Sequence, residues 1–502
     1  MYLHSPEEGP DLRTMSMVLR FRTRRAPQIF AAFAATLSAF GMGTVEAYTS
    51  PALPDMQRGD QLGSITEAEY SHIASDALLA AIVSGIPTCF LLEKIGRKAT
   101  IMLISIPFVT GWLMIAFAVN LVMVDMGRIL TGFCAGSASM AVPVFLGEVA
   151  EDSIRGFLGS SFQFQVTSGN LFVYVLGKYL NWQWLALSCS LVIFVGLILM
   201  SIVPPSPRFL LSKGRVQDAA RSLVWLRGAE SLSQVENELS SINKSVLSSK
   251  QNQEKLRFQD FFRLPILRPM LISLLLLFFQ QMTGVEAILV YTYDIFEKSG
   301  SPLDLHTSVI LVGCLQVITT FISALIVDKA GRRKLLLISS LGSAFAMGVL
   351  GAWFWFKEDS VGDEAKYETL NWIPLVTIGL FIIFFALGLG PVPFIMIAEL
   401  NNARMIGVVS AITTTFNWTF AFLVTKYFLL FAQSIGFHFL FWCFAILSVI
   451  GAIFIFIFVP ETKGKSMDEI QSTKSSSKLD KYSSFSKANT KARRKYNDGG
   501  TN

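Results

Sequence analysis

The chain has 502 residues, 52% hydrophobic and only 16% charged, with a mean hydropathy of +0.52. That balance excludes an ordinary soluble globular protein. The formal charge of +6 does not point to nucleic acid. The excess sits in short connectors and a Ser/Lys-rich end, where positive-inside bias and an anionic leaflet explain it.

Residues 1–27 are polar and basic, with Arg13, Arg20, Arg22, Arg24 and Arg25 and no cleavable signal peptide, and are expected to form a cytoplasmic tail. Apolar runs of about 18–25 residues follow, each long enough to cross ~30 Å of hydrocarbon. They fall near 28–48, 74–92, 99–119, 125–147, 157–177 and 184–203, then 268–293, 305–327, 335–356, 372–397, 405–430 and 438–459. The expected organisation is a six-helix bundle over 28–203 and a second over 268–459. The polar segment 204–267, with amphipathic pieces such as Val216 to Leu226, reads as a cytoplasmic helical linker. Residues 460–502 form a cytoplasmic tail whose last part, 472–502, is rich in Ser, Lys and Asn and is expected to be disordered. The fold class is therefore all-α and polytopic, with twelve transmembrane helices.

Two short strings recur at corresponding places. Glu93-Lys94-Ile95-Gly96-Arg97-Lys98 follows the second span, and Asp328-Lys329-Ala330-Gly331-Arg332-Arg333 follows the eighth. The chain is thus an internal duplication, and parallel repeats of six spans build one large class of secondary transporters. Lys and Arg gather in these turns and the two tails. The connector holding Asp55, Asp60, Glu67 and Glu69 and that holding Glu358, Asp359, Asp363, Glu364 and Glu368 are acidic. Both termini are expected in the cytoplasm.

Cys89, Cys134, Cys189, Cys314 and Cys443 all lie in apolar spans without metal-ligand spacing and read as packing residues. No metal-ligand cluster, nucleotide loop or catalytic triad is visible, so no cofactor, metal or enzymatic chemistry is implied. Polar residues inside the spans carry more information. Gln163 and Thr167 lie on span five, Gln280 and Gln281 on span seven, Gln316 on span eight, and Asn417 with Trp418 on span eleven. Amides are expensive to bury in lipid and usually face a bundle interior or a water-filled cavity. Any one of them could serve only to bond helices together; as a group, lining a polar cavity is the better account. Neutral donors and acceptors beside an aromatic face suit a polyol. Tyr291 and Phe385 complete the candidate binding set. Glu46 and Glu286 are acids within apolar runs, with no cation in a neighbouring span. Each is a candidate for proton coupling, and a neutral Glu286 offers a donor and an acceptor to a hydroxyl.

Further motifs follow an ordered pattern. They are Gly127-Arg128 with Gly132 and Gly136; Pro143-Val144-Phe145-Leu146-Gly147-Glu148; Arg155-Gly156; and Pro204-Pro205-Ser206-Pro207-Arg208. In the second half come Phe279-Gln280-Gln281-Met282-Thr283-Gly284, Gly390-Pro391-Val392-Pro393-Phe394, Glu399 with Arg404 and Gly407, and Pro460-Glu461-Thr462-Lys463-Gly464. This set resembles the sugar porters of the major facilitator superfamily over roughly residues 28 to 468. Within that family, Ala47-Tyr48-Thr49-Ser50-Pro51-Ala52-Leu53 looks most like the insect facilitated trehalose transporters. Phe145, Pro205 and Phe394 replace a tyrosine, a glutamate and a tryptophan of the family pattern. Glu286 replaces an asparagine, and Val290 the first of two tyrosines. The resemblance places Gln163, Gln280, Gln281, Asn417 and Trp418 at sugar-contact positions, and Gln316 where an asparagine is common.

What the resemblance implies is a monomeric carrier of the cell membrane. It would move a hexose or a trehalose-like disaccharide by alternating access, either facilitatively or with protons. The rival reading is a non-transporting sugar sensor, whose usual long cytoplasmic extension is missing from the visible pattern. A gate at the basic end is expected from Glu93, Arg97, Arg128, Glu148, Arg155, Asp328, Arg332, Arg333, Glu399 and Arg404, forming ion pairs between the halves when that end closes. Such pairs must be weak enough to break in each cycle, which partly solvated charges are. The simpler alternative is that these residues only set topology and turns.

Overall fold

Gly96 and Gly331, the glycines of the two repeated turns, both adopt left-handed backbone, with φ of +90° and +94°. A Cβ disfavours that region, so the motif needs glycine there. Each ends one long helix and begins the next. The computed structural model describes residues 24–151, 153–251, 264–300, 303–359, 370–401 and 406–463.

The first half contains α1 (Ala26–Ala47), a short α2 (Thr49–Arg58), α3 (Glu67–Lys94), α4 (Arg97–Ala116), α5 (Leu121–Val149), α6 (Arg155–Leu176) and α7 (Trp182–Ile202). Between the halves lie α8 (Pro207–Ser212), α9 (Val216–Arg227) and α10 (Glu236–Gln251). The second half contains α11 (Leu264–Gln281), α12 (Val285–Ser299), α13 (Leu305–Ala330), α14 (Arg332–Asp359), α15 (Ile373–Leu387), α16 (Val392–Leu400), α17 (Ile406–Ile435) and α18 (Phe437–Phe458). Helices α11 and α12 share one crossing, and so do α15 and α16.

Several helices overrun their apolar runs because polar caps start them early. Thr66 and Glu69 form a reciprocal capping box ahead of α3. Among the described residues, eleven segments are long and apolar enough to cross a membrane. Helix α6 supplies the twelfth crossing of the fold and misses that threshold because it carries Gln163, Gln165, Thr167, Ser168 and Asn170. Outward faces are apolar, with Ile86 at 80% exposure and Phe90, Ile198, Ile453 and Phe456 likewise exposed. Such surface belongs in hydrocarbon.

The duplication is visible in the packing. Helix α1 packs on α6, α3 on α5, and α4 on both α5 and α7; in the second half α11 packs on α17, α13 on α15, and α14 on both α15 and α18. The halves meet along α3–α17 and α6–α13, pairs that the same pseudo-symmetry exchanges. The linker is tied to the first half through buried Arg227. It pairs with Glu238 at 2.6 Å and donates to the Val149 carbonyl at 3.0 Å and to Gln28 Oε1 at 3.3 Å.

The hydrogen bonds and ion pairs that join the halves gather away from the basic turns. Arg58 bonds Tyr293, Tyr70 bonds Asp294, Ser71 bonds the Lys426 carbonyl, Lys178 bonds Asp304, and Gln433 bonds Glu67. This conformation is closed on that face.

Candidate functional site

The seventh span breaks between Gln281 and Val285, where Gly284 takes φ +84°. An added Cβ there would meet the Phe444 ring at 2.7 Å. The tenth span breaks at Gly388, between α15 and α16. The two breaks are stapled together. Gln280 Nε2 donates to the carbonyls of Leu389 at 2.6 Å and Gly390 at 3.2 Å, satisfying backbone that a broken helix leaves unpaired.

Around these breaks the amides converge. Gln281 Nε2 donates to Asn417 Oδ1 at 3.0 Å. Asn170 Nδ2, from the other half, donates to Gln316 Oε1 at 3.3 Å. Four buried oxygens are left without a donor: Asn170 Oδ1, Gln280 Oε1, Gln281 Oε1 and Glu286 Oε2. An unsatisfied buried acceptor costs about 1–3 kcal/mol. The group is complementary to a ligand that supplies several O–H donors. Glu46 and Glu286, one from each half, are both buried and lie on α1 and α12, which touch across the junction.

The other expected binding residues divide. Gln163 is half-buried, and the Thr167 hydroxyl donates to the Phe164 carbonyl of its own helix at 3.0 Å. Trp418 is 3% exposed, packs on Leu78 and Ala81 of α3, and places Nε1 3.5 Å from Ser139 Oγ. Its ring is covered by the other half. Phe385 is buried and stacked on Phe381. Tyr291 belongs to the closed face. It is fully buried, its hydroxyl donates to the Thr425 carbonyl at 3.2 Å, and its ring lies between Tyr70 and Phe428. Asn170 is the residue that the sequence reading missed. Its signal was present: it lies about two turns beyond Gln163, on the same side of α6.

The charged residues at the basic end form two matching triads. Arg97 pairs with Glu148 at 2.7 Å, and Glu148 also accepts the Ser206 hydroxyl at 2.6 Å. Arg332 pairs with Glu399 at 3.0 Å, and Glu399 accepts the Thr462 hydroxyl at 2.5 Å. Glu461 accepts the backbone N–H groups of Arg332 and Arg333, an anion at the start of α14. In this conformation, closed on the opposite face, these pairs lie within each half; the pairs between halves were expected for the state in which the basic end closes. The reason is adjacency: α4 lies against α5, and α14 contacts α16.

Arg128 is not part of that set. It sits near the far end of α5, 1% exposed, donating to the carbonyls of Val45 and Ile73 beneath the Tyr48 ring. Glu93 is exposed and, among the described residues, makes no ion pair. Arg155 starts α6 in an exposed position. Arg333 donates to the Phe456 carbonyl and lies over that ring. Arg404 and the side chain of Asp328 lie outside the described residues, as do Arg13, Arg20, Arg22 and the 472–502 tail.

A broken-helix, two-half membrane bundle with a polar site at the junction defines the class: a polytopic carrier. A family profile described as "Sugar (and other) transporter" matches residues 28–473, and the chain belongs to that family. It is 37% identical over 445 residues to the facilitated trehalose transporter Tret1 of Polypedilum vanderplanki, covering 88% of this chain and 87% of that one. It is also 37% identical over 455 residues to Tret1 of Apis mellifera ligustica, covering 90% and 89%. Among solved structures, the proton:xylose symporter XylE bound to 6-bromo-6-deoxy-D-glucose superposes with a TM-score of 0.73 at 22% identity, covering 89% of this chain and 99% of that one. A partially occluded inward-open conformation of XylE from E. coli also gives 0.73 at 22% identity, covering 88% and 100%. These likenesses establish the twelve-helix major facilitator fold.

Proposed function

We propose that the chain carries a neutral, multiply hydroxylated sugar, a hexose or a trehalose-like disaccharide, by alternating access between its halves. The observation that supports this most directly is the set of orphaned buried acceptors from Asn170, Gln280, Gln281 and Glu286 at the junction. A sugar presents hydroxyl donors in several directions and no fixed charge, so it satisfies them without bringing a counter-ion into the membrane. The membership of a transporter family favours carriage over a receptor that binds without transporting. On this reading the protein works as a monomer in the cell membrane, with the basic turns and both termini in the cytoplasm. The binding roles of Gln163, Gln316, Asn417 and Trp418 are part of the proposal, and so is gating by the two triads.

The test is uptake of radiolabelled sugars into proteoliposomes holding the full chain. Trehalose, several hexoses and linear polyols should be compared as substrates and competitors. Saturable uptake of at least one sugar is expected. Binding without uptake would establish a receptor instead.

A further inference from the structure

Two of the contacts that close the face away from the basic turns fall on α12 beyond its break. Tyr291 leaves helical geometry inside that helix, with φ −108° and ψ 21°. The stretch from Thr292 to Ser299 is therefore a separate helical piece hinged at Tyr291. Two adjacent side chains on it reach the first half. Arg58 Nη2, in the last turn of α2, donates to the Tyr293 oxygen at 2.7 Å, and its guanidinium stands 5.6 Å from that ring's centroid. The Tyr70 hydroxyl of α3 donates to the Asp294 carboxylate, 2.9 Å from Oδ1 and 3.0 Å from Oδ2. The Tyr70 ring stacks on Tyr291 at 6.4 Å and 17°, and Tyr291 stacks on Phe428 of α17 at 5.3 Å and 11°. Three rings in a row thus run from one half into the other.

These contacts suit a seam that opens. A carboxylate held in a permanent buried interface needs full pairing, whereas half-buried Asp294 takes its bond across the seam from one neutral phenol. In the opened state both groups return to water, so the bond's net worth is small enough to be broken in each cycle. An aromatic stack likewise seals a passage when assembled and comes apart without breaking a covalent or ionic link.

We propose that Asp294 and Tyr70 form the latch of the gate on the face opposite the basic turns, with Arg58 and Tyr293 as its brace. Releasing the latch lets the Thr292–Ser299 piece swing away from the first half, so that a sugar reaches the amide cluster from that face. The inference rests on the carrier reading above. Each latch bond exists only while the halves meet here. Removing one therefore raises the closed state relative to the open one and shifts the population toward opening.

The experiment places a reporter cysteine beneath the stack, at Val290, which is 2% exposed. An impermeant maleimide is applied to the face opposite the basic turns in sealed membranes holding the full chain, with labelling counted above that of the native cysteines. Tyr70→Phe keeps the ring and its stack and deletes only the hydroxyl; Asp294→Asn removes the charge. Tyr70→Phe should label about three- to tenfold faster than the parent, as expected for losing one hydrogen bond of a two-state closure, and Asp294→Asn, whose amide oxygen still accepts from Tyr70, should label faster by a smaller factor. The amount of folded protein after Tyr70→Phe should match the parent, so this variant decides the matter if Asp294→Asn folds poorly. Unchanged labelling in both variants, in membranes where the parent takes up sugar, overturns the latch and leaves the carrier intact. A parent that takes up no sugar in the same membranes overturns the carrier reading instead.

Discussion

Gln280 and Gln281 are neighbours in sequence with separate structural duties, and the difference is measurable. The Gln281 side chain donates to the side chain of Asn417 and, among the described residues, to no carbonyl at the breaks, so Gln281→Ala should raise the sugar concentration for half-maximal uptake with surface abundance kept. The loss should be about 0.5–1.5 kcal/mol. Gln280 also satisfies two carbonyls at the tenth-span break, so Gln280→Ala should in addition lower the yield of folded protein. Equal abundance of the two variants in quantitative blots would contradict the staple. Glu286 poses a different question, because neither it nor Glu46 has a Lys or Arg partner among the described residues. Both carboxyls are buried within the bundle, and an acid in a membrane span is a candidate to carry a proton together with the substrate. If that proton moves with the sugar, uptake falls as external pH rises from about 5.5 to 8, and Glu286→Gln flattens the profile. Level uptake by the parent over that window leaves a uniporter.

At the scale of elements, the duplication that the two charged strings announce reappears as two triads built alike, Arg97–Glu148–Ser206 and Arg332–Glu399–Thr462. Both sit far from the amides, so Glu148→Gln and Glu399→Gln should lower the maximal uptake rate with little change in apparent sugar affinity. An effect of about fivefold corresponds to ~1 kcal/mol for partly exposed pairs. Uptake kinetics of the two variants side by side check this, and a loss confined to affinity would place the triads in binding instead. The spans, the repeat and most of the amide set are legible in the sequence because they depend on local composition and on residue type. The triad partners are not, since Arg97 finds Glu148 only after α4 has packed on α5. The same holds for Asn170, one amide among several polar residues of α6 until α13 brings Gln316 to it. The sequence also shows glycines and prolines at the seventh and tenth spans without showing that one glutamine bridges the two breaks.

For the molecule as a whole, the populations of its states follow from the bonds that each state alone can make. In this conformation the closed face holds, among the described residues, one exposed inter-half ion pair, Lys178–Asp304 at 3.1 Å, beside the part-buried Tyr70–Asp294 bond. The two should respond differently to the solvent. Hydrogen bonds from Lys178 and Thr307 hold the Asp304 carboxyl below the usual carboxylate range. Its contribution to closure is therefore present above that range and is lost as pH falls through the lowered value. At neutral pH the pair is formed but solvated, so salt screens it. Asp304→Asn should accordingly speed labelling of the Val290→Cys reporter by less than about twofold, and that increment should vanish in about 1 M salt. The larger increment from Tyr70→Phe should survive the same salt, because a hydrogen bond from a neutral hydroxyl in a half-buried site is screened far less than a pair of exposed charges. Equal salt sensitivity of the two variants would mean that the face is held by surface charge and that the ring stack is not its seal.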